Sequence, residues 1–306
     1  MPTILRGAPI AARLRLGIET SIAELLARGG ARPTLVTILV GRNPAAEAYR
    51  DAIERTFRRV DIDHRPRSLP TETSAGDLAD ELHRLNLAPD VTGVLVLMPL
   101  PPHLSSHVVL ETLSPLKDVD GITPTNAGRL HLGLPSLRPS TPQGGLEIVD
   151  HYGIDLRGLH AVVIGRGNVV GRPLATMLTQ RHATVTLCHR QTRDLASHTR
   201  RADVVATATG VPGLLHGDMA SPGAIVLDFG ISVVADRLVG DADPASLDHV
   251  AALTPVPGGI GPVTTLVLAR NTIAAGFAAL SGNLDHVDLA TPHLEVPYDE
   301  PTPSHA

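Results

Sequence analysis

Apolar positions along the chain fall into two rhythms. Short continuous apolar runs, as used by strands buried on both faces of a parallel sheet, occur at Thr34–Val40, Gly93–Met98, Ala161–Ile164, Ala183–Cys188, Asp203–Ala208, Ala224–Asp228 and Ala252–Thr254. Ile62–Arg67 reads as a further short strand. Between them lie stretches at helical spacing. In Pro9–Arg28 the residues Ile10, Leu14, Ile18, Ile22, Leu25 and Leu26 form a stripe that Gly29-Gly30 ends. Ala45–Val60, Ser74–Leu85 behind a Ser cap, Leu146–Tyr152, Val170–Gln180 and Val263–Leu280 continue the helical pattern. Pro99, Pro101 and Pro102 stop regular structure, Lys117–Arg129 is polar and turn-rich, Arg138–Gly145 reads as a linker, and Thr254–Thr264 as a Pro/Gly loop.

Strands alternating with helices predict an α/β protein of two units. Residues 1–138, with a C-terminal helix over about 263–282, form an α/β domain. Residues 139–262 form a doubly wound, Rossmann-type domain. Residues 283–306 lack any amphipathic period and read as a disordered tail.

The stretch His160–Pro173 (HAVVIGRGNVVGRP) carries the most chemistry. A strand, a glycine turn and a helix N-terminus together expose backbone N–H groups and the positive end of a helix dipole, which suits an anion. The spacing G-x-G-x-x-x-G is one residue longer than the usual dinucleotide fingerprint. The next strand ends in His189 and Arg190, where a NAD-selective fold places an acid for the ribose hydroxyl. An Arg there suits a 2′-phosphate, so the expected cofactor is NADP, with Arg166 a second candidate contact.

At 306 residues the chain is long enough for two cores, and 43% hydrophobic residues exclude wholesale disorder. A net charge of −5 offers no basic face for nucleic acid. No apolar run is read as long enough to span a bilayer, and no signal peptide is visible. Cys188 is the only cysteine, so no intrachain disulfide forms, and the expected location is the cytoplasm. No residue is assigned to a metal.

Five segments together resemble the bifunctional methylenetetrahydrofolate dehydrogenase/cyclohydrolase family: Val40–Tyr49 (VGRNPAAEAY), Pro99–His103 with Lys117–Gly121 (PLPPH, KDVDG), Arg138–Gly144 (RPSTPQG), Val162–Pro173 (VVIGRGNVVGRP) and Thr254–Pro262 (TPVPGGIGP). The likeness runs in unbroken order over roughly residues 3 to 280. It implies two α/β domains with a folate cleft between them and a homodimer through the cofactor domain. It also implies that Tyr49 stacks on the aminobenzoate of a tetrahydrofolate substrate and that Asp120 grips the pterin amino edge, where a carboxylate suits adjacent N–H donors. Pro257, Gly258 and Gly259 would line the cleft with backbone, and Gly165, Arg166, Gly167, Asn168, Val169, Gly171, His189, Arg190 and Ile231 would hold the cofactor. The blander alternatives are a core-packed Tyr49 and a turn-capping Asp120, a role that suits Asp118 equally.

The chain also departs from the family. The family's lysine, four residues after the tyrosine, is Ile53 here, its glutamine is Leu97, and a nearby serine is Ala46. Lys117 is the only lysine in the chain. Arg50 and Arg55 are expected to point away from the Tyr49–Ile53 face. Hydride transfer from a methylene group to NADP abstracts no proton and survives these replacements. Hydration of the resulting methenyl group needs an acid–base group worth on the order of 10²- to 10⁴-fold, for which Glu54 is the only weak candidate. The expected activity is therefore an NADP-dependent methylenetetrahydrofolate dehydrogenase with weak or absent cyclohydrolase activity. The alternatives are an oxidoreductase for another folate or iminium-type substrate, or a folate- or dinucleotide-binding protein without turnover.

Overall fold

A computed structural model describes residues 1–235, 237–285 and 287, so most of the expected tail at 283–306 lies outside the described residues. The first part of the chain runs β1 (Thr3–Ile4), α1 (Ala8–Ala27), β2 (Thr34–Val40), α2 (Pro44–Arg59), β3 (Asp63–Leu69), α3 (Ala75–Leu87), β4 (Gly93–Val96), α4 (His107–Thr112) and α5 (Pro124–His131). The second runs α6 (Ser140–His151), β5 (His160–Ile164), α7 (Gly171–Gln180), β6 (Thr184–Cys188), α8 (Leu195–Thr199), β7 (Val204–Thr207), β8 (Ile225–Asp228), β9 (Ser232–Val234), β10 (Arg237–Val239), β11 (Ala252–Leu253) and α9 (Gly261–Ser281).

The central strands are apolar at nearly every position because both of their faces are covered. In the three-stranded parallel sheet β3-β2-β4, Leu35 and Leu39 point into a core with α1, α2 and α9, while Val36, Ile38 and Val40 point into a second core with α3 and α4. In the six-stranded parallel sheet β1-β11-β8-β7-β5-β6, Ala161 and Val163 face one core, and Val162 and Ile164 the other. The N-terminal strand β1 pairs with β11, so the chain's first residues complete the edge of the second sheet. An antiparallel hairpin, β9–β10, stands apart from both sheets.

Helices α1 and α9 connect the two units. Ile10 of α1 and Val263 and Val267 of α9 sit in the core of the larger sheet, whereas Ile18, Ile22, Leu25, Leu266 and Ile273 sit in that of the smaller one. This arrangement corrects the expectation about apolar runs. By length and composition α9 is apolar enough to cross a membrane, with a mean hydropathy of 1.4 over its best window. Its apolarity is spent in packing, since it lies against α1, α6, α2 and β4 and 72% of that window is buried.

Two segments without predicted structure turn out to be helical. The expected linker at 138–145 is mostly the first turns of α6, which begins at Ser140. Within the turn-rich stretch 117–129, α5 begins at Pro124, capped by the Thr123 side chain, which accepts from Asn126 N.

Candidate active site

The larger sheet reverses its winding between β5 and β7, because β6 lies on one side of β5 and β7, β8, β11 and β1 on the other. Ligands of open α/β sheets sit at the carboxyl ends of the strands flanking such a point. There the glycine turn leaves β5. Gly165 adopts φ +119, and a Cβ on it would run into the Ala208 carbonyl at the end of β7. A Cβ on Gly171 would run into the Gly165 carbonyl. Gly167, by contrast, faces open space, so the protein's own packing does not require a glycine there. The N-terminus of α7 has no side-chain cap, but Arg172 N donates to Gly167 O, Pro173 has no N–H and Leu174 N donates to Val170 O, so within that first turn the Gly171 N–H is the one left for an anion.

Arg166, Gly167 and Asn168 are exposed in that turn, Val169 borders the cleft, and half-buried His189 and exposed Arg190 follow the neighbouring strand. The guanidinium groups of Arg166 and Arg190 have no hydrogen-bond or ion-pair partner among the described residues. Ile231, 53% exposed, borders the cleft at the foot of the β9–β10 hairpin, as do Val233 and Leu238 within it.

A cleft of about 710 Å³ separates the two units. Its floor and walls come from Leu95–Pro99 at the end of β4, one stripe of α2, the loop Pro255–Pro262, and the loops after β5, β7 and β8. Pro257, Gly258 and Gly259 are brought to this cleft, together with Tyr49 and Asp120. Asn43 caps α2 by accepting from Ala46 N at 3.0 Å, which fixes where the Tyr49 stripe starts.

Asp120 is held from the N-terminus of α6. Its Oδ1 accepts from Ser140 N at 3.2 Å and Ser140 Oγ at 2.8 Å, which leaves Oδ2 for a ligand. Burial pushes its pKa up to about 6; the two Ser140 bonds oppose that rise and the Asp118 charge adds to it. The Tyr49 hydroxyl lies beside Ser140 and Asp120, and burial, aided by the Asp120 charge, raises its pKa well above the ordinary phenol range. Tyr49 is thus a neutral aromatic surface and no proton acceptor. Asp118 is fully buried and accepts from Ile122 N, Thr123 N, Thr123 Oγ1 and Asn126 Nδ2, so it fastens the start of α5.

Ile53 and Leu97 meet in one apolar cluster with Leu39, Leu95 and Phe57, at 0% and 3% exposure. Leu97 borders the cleft, whereas Ile53 lies behind it. Glu54 is not on the cleft and pairs with Arg58 at 2.5 Å. The sole lysine, Lys117, donates to the carbonyls of Leu85 and Ala88 at the end of α3. Arg50 donates to Ser68 away from the cleft, but the expectation for Arg55 needs correction. The cleft-facing stripe of α2 runs through Ala45, Ala48, Tyr49, Ala52 and Arg55, rotated toward Ala52 and away from Ile53. Ser140, Thr264, Thr265 and Asp228, also near or on the cleft, were not legible as site residues; only the motifs around them pointed there.

Residues 5–120 match a family model described as the tetrahydrofolate dehydrogenase/cyclohydrolase catalytic domain, and residues 139–279 match its NAD(P)-binding domain. The bifunctional protein FolD of Thermomicrobium roseum is 46% identical over 286 residues, covering 94% of this chain and 97% of that protein. The crystal structure of the bifunctional enzyme FolD, methylenetetrahydrofolate dehydrogenase/cyclohydrolase, from Campylobacter jejuni superposes with a TM-score of 0.86 at 37% identity, covering 91% of this chain and all of that one. The Trypanosoma brucei methylenetetrahydrofolate dehydrogenase-cyclohydrolase, complexed with NADP cofactor and inhibitor, superposes with a TM-score of 0.86 at 32% identity, covering 91% and 98%.

Proposed function

The chain belongs to the tetrahydrofolate dehydrogenase/cyclohydrolase family, and from that premise we propose that it oxidises 5,10-methylene-tetrahydrofolate with NADP while its cyclohydrolase activity is weak or absent. The relatives named above are bifunctional, so the second half of the reading rests on one observation. The two positions where the resemblance places a lysine and a glutamine are Ile53 and Leu97, both buried members of one apolar cluster.

NADP, when bound, supplies the hydride acceptor. The Gly165–Gly171 turn fits the group: the backbone N–H groups from Arg166 to Gly171 have no partner among the described residues, and Gly167 faces open space where a pyrophosphate can approach the main chain. Arg190 and Arg166 offer unpaired guanidinium donors for a 2′-phosphate. Tyr49 provides the face for the aminobenzoate, and the free Oδ2 of Asp120 accepts from the pterin amino edge. These groups align the methylene carbon, and hydride departure leaves a delocalised cation without any proton acceptor. Adding water to that cation does require one, and no group on the cleft is placed like the missing lysine. A homodimer through the cofactor domain belongs to the proposal on the resemblance alone. The test is NADPH formation from methylene-tetrahydrofolate by the purified chain; absence of any NADPH would refute the reading.

A further inference from the structure

Where α6 packs between α7 and α9, a cluster of arginines holds more positive charge than its carboxylates answer. The carboxylates are Glu147 and Asp150, three residues apart on α6. Asp150 accepts from Arg181 Nη1 at 2.6 Å and Nη2 at 2.9 Å. Glu147, 1% exposed, accepts from Arg270 Nη1 at 2.8 Å and from Arg13 Nη2 at 3.2 Å. All four carboxylate oxygens are thereby taken. Arg138, just ahead of α6, makes no side-chain hydrogen bond or ion pair among the described residues. Its Nε is shut off from water, as are Arg181 Nε and Arg270 Nε and Nη2, and none of these donors has an acceptor. Burial lowers the pKa of Arg138, and the charges of Arg181 and Arg270 lower it further, so the three guanidinium groups act on one another. The Arg138 backbone is also tied to α9, since Asn271 Nδ2 donates to its carbonyl at 2.7 Å. A buried cation without a partner is costly, and a structure keeps one where something else neutralises it.

We propose that Arg138, Arg181 and Arg270 form a second anion site, which takes a phosphate group, free or as the monoester of a small molecule. Four arginines face two carboxylates here, an excess that a dianion balances and a single carboxylate does not. Guanidinium donors from three separate elements suit a tetrahedral oxyanion, which accepts on several sides. The side chains of Arg181 and Arg270 are each 15% exposed, so the cluster can be reached from solvent. The site is distinct from the cofactor turn, because Arg181 follows the last residue of α7 while the glycine turn leads into the first.

The test is thermal melting of the full chain in chloride, inorganic phosphate and glycerol 2-phosphate at matched ionic strength, with calorimetric titration of both phosphates. The unmodified protein should melt about 3 °C or more higher in phosphate than in chloride. A larger rise with glycerol 2-phosphate would identify a phosphate monoester as the ligand, and an equal or smaller one free phosphate. Arg138→Met removes a cation that has no partner to orphan, so it should melt no lower than the parent in chloride and lose the phosphate response. Arg138→Lys, which keeps the charge without the planar fork, should retain part of the response and carries the test if the methionine variant does not fold. Arg190→Ala should respond to phosphate as the parent does. No phosphate response in the parent, or the same response in Arg138→Met, would overturn the proposal. A response lost in Arg190→Ala and kept in either Arg138 variant would place the phosphate at the cofactor turn and overturn it too. An Arg138→Met protein that melts lower in chloride and elutes as a smaller species would mean that a second copy of the chain neutralises Arg138, which also overturns the site.

Discussion

Placing a lysine at position 53 tests the claim that the pocket wall is dry. Ile53 is fully buried, in the same apolar cluster as Leu97, Leu39, Leu95 and Phe57. A lysine there brings an amine into an apolar cluster, and burial of this kind lowers an amine's pKa by three units or more from about 10.4. At 1.36 kcal/mol per unit, a three-unit drop costs roughly 4 kcal/mol at pH 7. The unfolded chain then binds more protons than the folded one between about pH 7 and 10.4, so the deficit must shrink as pH rises through that window. Thermal melts of Ile53→Lys beside the parent at pH 7 and pH 10 read this directly. The expected result is a large loss of melting temperature at pH 7 that is mostly recovered at pH 10. Adding Leu97→Gln gives the amine an acceptor on the cleft side and should restore part of the stability at pH 7. A lysine variant as stable as the parent at pH 7 would show that position 53 reaches water, and the case against water activation would lose its basis.

Three further outcomes are expected. Arg190→Ala should raise KM for NADP roughly tenfold or more, as loss of a charge-assisted contact does, with little change for NAD; equal losses would remove Arg190 from the 2′-phosphate. Asp120 has its pKa raised to about 6, so KM for the folate should climb as pH falls below 6 and the carboxylate protonates. Asp120→Asn should weaken folate binding by roughly 1.5–3 kcal/mol and flatten that dependence, while unchanged binding of a folate analogue in calorimetry would leave it a turn residue. Gly165→Ala forces a Cβ onto the Ala208 carbonyl at φ +119 and should cost about 1–3 kcal/mol of stability along with NADP binding; an unchanged NADP titration would contradict the placement of the turn.

Much of the fold was legible because buried parallel strands announce themselves as apolar runs, and Thr34–Val40 is the same in pattern and structure. What escaped depends on contacts distant in sequence. The segment RPSTPQGG reads as a linker since Pro142, Gly144 and Gly145 are poor helix formers. In the fold those glycines let α6 approach its neighbours, as a Cβ on Gly145 would strike the Phe229 ring and one on Gly144 would press on Thr264. The β9–β10 hairpin lacks the usual turn glycine and places Ala235 at φ +47, so no local signal marks it. Strand β1 has two residues and exists only through β11. At the site, the motifs led to Tyr49 and Asp120, but the face of α2 that meets the cleft was misjudged. Counting from Tyr49 to Ile53 selects a core-facing stripe, whereas the packing of α2 on α9, where Thr56 Oγ1 meets Thr265 Oγ1 at 2.9 Å, turns Ala52 and Arg55 to the cleft.

The central proposal is a dehydrogenase that produces methenyl-tetrahydrofolate and hydrates it weakly or not at all. The direct measurement is the decay of added methenyl-tetrahydrofolate with and without the unmodified protein, followed by absorbance and set beside the rate of NADPH formation from methylene-tetrahydrofolate. The account predicts steady NADPH production with methenyl decay at the spontaneous rate or accelerated to far below the dehydrogenase turnover. Decay accelerated to a rate close to the dehydrogenase turnover would contradict it, and would mean that a group other than a lysine activates water in this cleft.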